Sequence, residues 1–136
     1  MNLAIDYDGT IADTNSEKIR WIRENLGRED VPHWLCNHTE CAPIIGEADY
    51  RAMGSYVYER ESTLAATEVP GALDALRTLS ESGHRLLLLT ARPVRRQEYS
   101  MEWLRAHGVE HLFADALSSH DSTKSAVCEQ IGAQML

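Results

Sequence analysis

The chain is short of the features that secreted or membrane-spanning proteins depend on. Its three cysteines, Cys36, Cys41 and Cys128, are an odd set, so they define no disulfide framework and read as reduced thiols. The longest strongly apolar run, Leu86 to Leu89, is far too short to span a bilayer, and no signal-peptide pattern stands at the start. Cations are scarce as well: 13 Lys and Arg face 21 Asp and Glu, a net charge of −8. That deficit argues against nonspecific binding to nucleic acid or to a membrane surface, while leaving room for a locally positive pocket. Internal repeats and low-complexity tracts are also missing. A reducing cytoplasm is the expected location. The 136 residues suit one compact domain with a small insertion. A chain of this size buries roughly two-thirds of its unfolded surface, so folding needs neither disulfide nor metal.

What is present is a regular alternation. "NLAI" is a short apolar run that reads as a buried strand with Asp6 at its carboxyl end. Asp13, Thr14 or Ser16 can cap a helix that carries Ile19, Ile22 and Leu26 at helical spacing and stops at Gly27. Residues 28–46 have two prolines and little period, which predicts loop and short helical pieces. Glu47 to Ala66 reads as one helix with Gly54 as its weak point. From Pro70 the pattern sharpens: a helix on Leu73, Leu76 and Leu79 ending at Gly83, the strand "RLLLLT", a helix over Val94–His107, the strand "HLFADAL", a helix capped by Asp121 or Ser122, and "AQML" opening a fourth strand. Strand–helix alternation predicts a parallel sheet covered by helices. The irregular stretch after the first strand is too long for an ordinary crossover. It reads as a helical cap over residues 14–67 inserted into an α/β core of residues 1–13 and 68–136.

The run "AIDYDGTIADT" carries the chemistry. Residues i and i+2 of an extended strand point to one side, so Asp6 and Asp8 face a single volume at the strand's carboxyl end. In open parallel sheets ligands bind there. Two carboxylates that close favour a bound cation or one raised pKa. A phosphoryl-transfer site uses both: one attacks phosphorus, the other moves a proton. Gly9 lets the backbone turn sharply, and Thr10 offers a hydroxyl and an amide.

"IDYDGTIADT" resembles the first motif of the haloacid dehalogenase-like phosphohydrolases, "LLLLTAR" their second, and Lys124 the lysine of their third. The resemblance implies a Rossmann-like parallel sheet with flanking helices and a small helical cap after the first strand. It implies hydrolysis of a small phosphate monoester through an aspartyl phosphate, with Mg2+ as cofactor. Asp6 would be the nucleophile and Asp8 the acid/base. Thr90 would bind the phosphoryl oxygens, helped by backbone amides near Tyr7 and Ala91, and Lys124 would neutralise the phosphate and Asp6. Mg2+ would take the Asp6 carboxylate and the Asp8 carbonyl oxygen. "LLTARP" with a short cap is similar to the deoxyribonucleotidase-like branch, which puts a nucleotide first among substrates.

One departure stands out. The family's fourth motif is a strand ending in acidic residues, one of which holds Mg2+; here no Asp or Glu follows Glu129. A truncated chain, a substitute acid (Asp115 or Asp121) and a catalytically impaired phosphate-binding protein are the readings this opens. In the family the fourth strand lies beside the first, opposite the second. A short one leaves the first strand as an apolar edge, which predicts a homodimer unless "AQML" covers it.

Blander readings compete at each position. A calcium loop starting at Asp6 would use Glu17, but Ile11 stands where such a loop needs glycine. Arg92 is either a substrate contact or a helix-flanking surface charge; Arg95 and Arg96 read as a solvated face. His33, Cys36, His38 and Cys41 are possible zinc ligands, but their spacing is tighter than usual and an incidental loop is the better reading. Trp21, Trp34 and Trp103 read as packing residues.

Overall fold

The computed structural model describes residues 1–135. Strands β1 (Asn2–Ile5), β2 (Arg85–Thr90), β3 (Phe113–Ser118) and β4 (Gln134–Met135) form one parallel sheet in the order β3-β2-β1-β4. The apolar run Leu86–Leu89 is buried throughout, as a central parallel strand covered on both faces must be. Its side chains alternate between those faces. Leu86 and Leu88 join Leu3, Ile5, Tyr7, Trp103 and Leu104 in the larger core, whereas Leu89 packs with Ala4 and Cys128 on the opposite side. β4 lies beside β1 and opposite β2, pairing Gln134 with Leu3 and Met135 with Ala4. The β1 edge is therefore covered within the chain over those two residues; Leu136 of the expected strand lies outside the described residues.

The crossovers are α5 (Ala72–Glu81), α6 (Val94–Ala106) and α7 (Lys124–Ile131). The start of α7 differs from expectation. Its cap is Thr123, whose Oγ1 accepts the Ala126 amide at 3.1 Å, because Ser122 is held in the preceding turn by its own amide on the Ser119 carbonyl. No helix among the described residues is long and apolar enough to cross a membrane.

Between β1 and α5 lie α1 (Thr14–Leu26), α2 (His38–Ile45), α3 (Glu47–Val57) and α4 (Arg60–Ala65). Ile22, Val31, Cys41, Ile45, Met53 and Val57 give these helices an apolar cluster of their own. Asp13 caps α1 by accepting the Ser16 amide, and Gly27 closes it in the left-handed conformation. The single helix expected over 47–66 is two. The break falls at Tyr58–Glu59, where Glu59 turns extended, and not at Gly54. Gly54 stays helical, and the Tyr58 ring lies against its bare Cα face.

The inserted helices leave and rejoin the sheet domain through a short antiparallel ribbon. The Asp13 amide donates to the Thr67 carbonyl and the Val69 amide to the Ile11 carbonyl, both at 2.8 Å. Trp103 fastens the returning segment from below. Its Nε1 donates to the Ala66 carbonyl at 2.8 Å, and its ring stacks on His107 and meets Tyr7 edge-on. Trp103→Ala should therefore cost about 3–5 kcal/mol of stability, from the cavity and the stranded carbonyl together. Urea unfolding followed by circular dichroism measures it; a loss below 1 kcal/mol, on the order of a surface substitution, would show that the site repacks freely.

Candidate active site

Past Ile5 the chain turns on one carbonyl. Tyr7 O accepts the amides of Thr10, Ile11 and Ala12 at 2.9–3.2 Å, and Gly9 supplies the positive φ of 80° the turn requires. The turn buries the Tyr7 ring and leaves Asp6 and Asp8 in the wall of a cavity of about 320 Å³ at the carboxyl end of the sheet. Ala91 and Arg92, after β2, and Lys124, at the start of α7, complete the floor; Tyr58 and Arg96 form the far side.

Each aspartate has its own cation. Lys124 Nζ donates to Asp6 Oδ1 at 2.5 Å, and the Tyr7 amide reaches the same oxygen at 2.9 Å. Lys124 is the first residue of α7, where the helix dipole disfavours a cation, so the pair with Asp6 offsets a local cost. Arg92 forks onto Asp8, Nε to Oδ2 at 2.9 Å and Nη2 to Oδ1 at 2.8 Å, while the Thr14 hydroxyl donates to Oδ1 at 2.6 Å. Sequence reasoning left Arg92 open between a contact and a surface charge, and the structure excludes the surface charge: the side chain is buried. Its Nη1 donates to Thr63 Oγ1 of α4 at 2.9 Å, and its guanidinium lies 5.2 Å from the Tyr7 ring centre and 5.1 Å from that of Tyr58. Burial works against the Arg92 charge, but the Asp8 hydrogen bonds and charge more than offset it, so its pKa rises. Burial foremost, with Asp8 adding to it, pushes the Tyr58 phenol above its ordinary range, so it stays protonated.

The other named residues fall in three places. Thr90 is fully buried behind the wall, and its Oγ1 accepts the Arg92 amide at 3.0 Å. Thr10 is drawn away from the aspartates by its amide bond to Tyr7 and lines a separate apolar hollow. Arg96 corrects an expectation: it is not a solvated residue but part of the cavity wall, whereas Arg95 is exposed as expected. Tyr58 and Thr63 were not singled out, and Thr14 was read only as a candidate helix cap. Nothing in their local pattern marks them, since their roles arise from the folding of the inserted helices over the sheet.

Neither Asp115 nor Asp121 reaches the cavity, so no substitute acid stands beside Asp6 and Asp8. Among the described residues no three His, Cys, Asp or Glu side chains gather as a metal site. The zinc reading fails on the same ground. His33 pairs with Asp13, His38 pairs with Glu47, and Cys36 and Cys41 are buried.

No family profile and no curated protein matches the sequence. Solved structures do. A hydrolase from Streptococcus pneumoniae shares 14% identity at a TM-score of 0.60, covering 98% of this chain and 78% of that one. A predicted phosphatase from Clostridium acetobutylicum shares 17% at 0.61, covering 98% and 74%. A haloacid dehalogenase-superfamily hydrolase from Geobacter sulfurreducens shares 20% at 0.57, covering 97% and 72%. The chain has the fold of the haloacid dehalogenase-like hydrolases.

Two outcomes follow from this geometry. Arg92→Ala should destabilise the protein by about 1–3 kcal/mol, because it leaves the part-buried Asp8 carboxylate without its cation. Arg92→Lys should restore less than half of that, lacking the fork. A thermodynamic cycle with Asp8→Asn reads the coupling, and zero coupling would mean the fork contributes nothing. Burial pushes the Cys36 thiol up to about 11, partly countered by Lys18, and burial raises Cys41 as well. Both thiols are therefore protonated at pH 8 and should react with a thiol reagent only as fast as the protein opens; reaction at the rate of a free thiol would contradict their burial.

Proposed function

We propose that the chain hydrolyses phosphate monoesters through an aspartyl phosphate on Asp6. The observation that carries this is the pairing of two neighbouring aspartates with two cations, Lys124 and Arg92, around one cavity at the carboxyl end of a parallel sheet. An Asp6 carboxylate oxygen forms a bond to phosphorus as the ester oxygen leaves, and that oxygen takes up the proton of the ester monoanion, relayed through Asp8. Asp8 then removes a proton from water, whose oxygen attacks phosphorus and releases phosphate and free Asp6. Arg92 and Thr14 hold both Asp8 oxygens, so its orientation is set before a substrate enters. Lys124 stands where charge gathers on the phosphoryl group.

The donor set suits Mg2+, which binds through one or two carboxylates plus substrate phosphate and keeps several waters. The Asp6 carboxylate and the Asp8 main-chain carbonyl would hold it, and when bound it would screen the phosphate's charge from Asp6. A nucleotide is the substrate class that the sequence resemblance puts first. A second reading is a phosphate-binding protein with little turnover; it is favoured by the lack of a third acid at the cavity.

Assay of a panel of phosphate monoesters with Mg2+ separates the two. Asp6→Asn should lower kcat by at least about a thousandfold. Activity that survives that substitution would remove Asp6 from the nucleophile's place. Phosphate binding without turnover by the unaltered chain would favour the second reading.

A further inference from the structure

The catalytic cavity opens onto a neighbour. A second hollow of about 380 Å³ lies between α3 and α6, and Tyr58 and Arg96 stand in the walls of both. A phosphoryl group at Asp6 uses only part of the first chamber. A group esterified to it that extends past Tyr58 and Arg96 enters the second, which is lined by Tyr50, Arg51 and Ser55 of α3 and by His38 and Glu47.

The charges in this cleft are unequally matched. Lys124 is committed to Asp6 and Arg92 to Asp8. Glu47 is met by His38 at 3.0 Å. Arg51 has no ion-pair partner among the described residues. Arg96 has only a share in Glu59, which also takes Arg95, and its buried Nε has no hydrogen-bond partner. In a chain of net charge −8, two under-paired arginines lining one hollow are the reverse of the surrounding field. Guanidinium groups left open in a cleft are suited to oxyanions, which they bind through paired N–H donors.

We infer that the outer hollow is the leaving-group subsite, and that the group it accepts carries its own anion, a carboxylate or a second phosphate, held by Arg51 and Arg96. This rests on the phosphomonoesterase reading for the placement of the phosphoryl group, and it narrows the substrate to esters with two separated negative ends. A nucleoside monophosphate, whose leaving group is neutral, is the competing case.

Binding without turnover tests it. Asp6→Asn protein is titrated calorimetrically with 6-phosphogluconate and with sorbitol 6-phosphate, which match in length and differ in the terminal carboxylate. Uridine 5′-monophosphate serves as the neutral aromatic arm. The carboxylate should tighten binding by about tenfold, the effect of roughly one well-placed charge. Adding Arg51→Ala or Arg96→Ala should each reduce that preference at least threefold, and Arg96→Lys should retain part of it. Equal binding of the two sugar phosphates overturns the inference. So does a preference indifferent to both arginines, or uridine monophosphate binding more tightly than either. Because these are binding measurements, an unaltered chain that turns over nothing would remove the phosphatase reading and leave this result standing.

Discussion

The fork between Arg92 and Asp8 is the contact on which the rest of the site depends. Two carboxylates flanking a single residue at a strand end repel, the more so where water is partly excluded. The chain answers with one cation apiece, and the sheet order makes that possible. β2 lies directly beside β1, and β3 beside β2, so the loops leaving their carboxyl ends open over the same place as Asp6 and Asp8. Arg92 comes from the first of those loops and Lys124 from the helix beyond the second.

Arg92 also joins the two structural layers. It holds Asp8 of the sheet domain while donating to Thr63 on α4, and it lies between the rings of Tyr7 and Tyr58. Its own carbonyl accepts the Ser118 hydroxyl from β3 at 2.6 Å. One buried residue thus ties the turn after β1, the β2 loop, β3 and the inserted helices into a single arrangement. Swinging the insertion away about its ribbon at residues 11–13 and 67–69 would break the Thr63 bond, strip Tyr58 from the guanidinium and pull the Thr14 hydroxyl from Asp8, leaving only the Arg92 fork on that carboxylate. The fork, made within the sheet domain, is the part of the Asp8 environment that does not depend on where the insertion stands.

What could be read in the sequence follows from how local the signal is. β1, β2 and the stops at Gly27, Gly83 and Gly132 were legible because apolar runs and left-handed glycines act within a few residues. Asp6, Asp8 and Lys124 were legible because a motif fixes their places relative to strand ends. The break at Tyr58–Glu59 was not, since no proline or glycine marks it. A ring that packs back on Gly54 and over Arg92 decides it, and that is a tertiary event. Arg96 was misread for a related reason. On its helix it resembles Arg95 beside it, and only the insertion folding over α6 distinguishes the covered residue from the exposed one. Arg92 was ambiguous because a buried arginine shows itself through its partner, here 84 residues away.

The charge balance of the cleft constrains any mechanism. At rest the Asp6–Lys124 and Asp8–Arg92 pairs are each neutral, so neither Lys124 nor Arg92 is a spare positive charge in the inner chamber. A phosphate monoester brings nearly two negative charges into a partly desolvated space, where uncompensated charge is costly. In the proposed reaction Lys124 serves the incoming oxygens best when another cation faces Asp6, a place Mg2+ would fill if bound. Arg96, on the boundary of both chambers and only partly matched by Glu59, is the protein's own cation best placed to approach the ester from the other side. The inner pairs thus set orientation, and the charge that admits the substrate has to come from outside them.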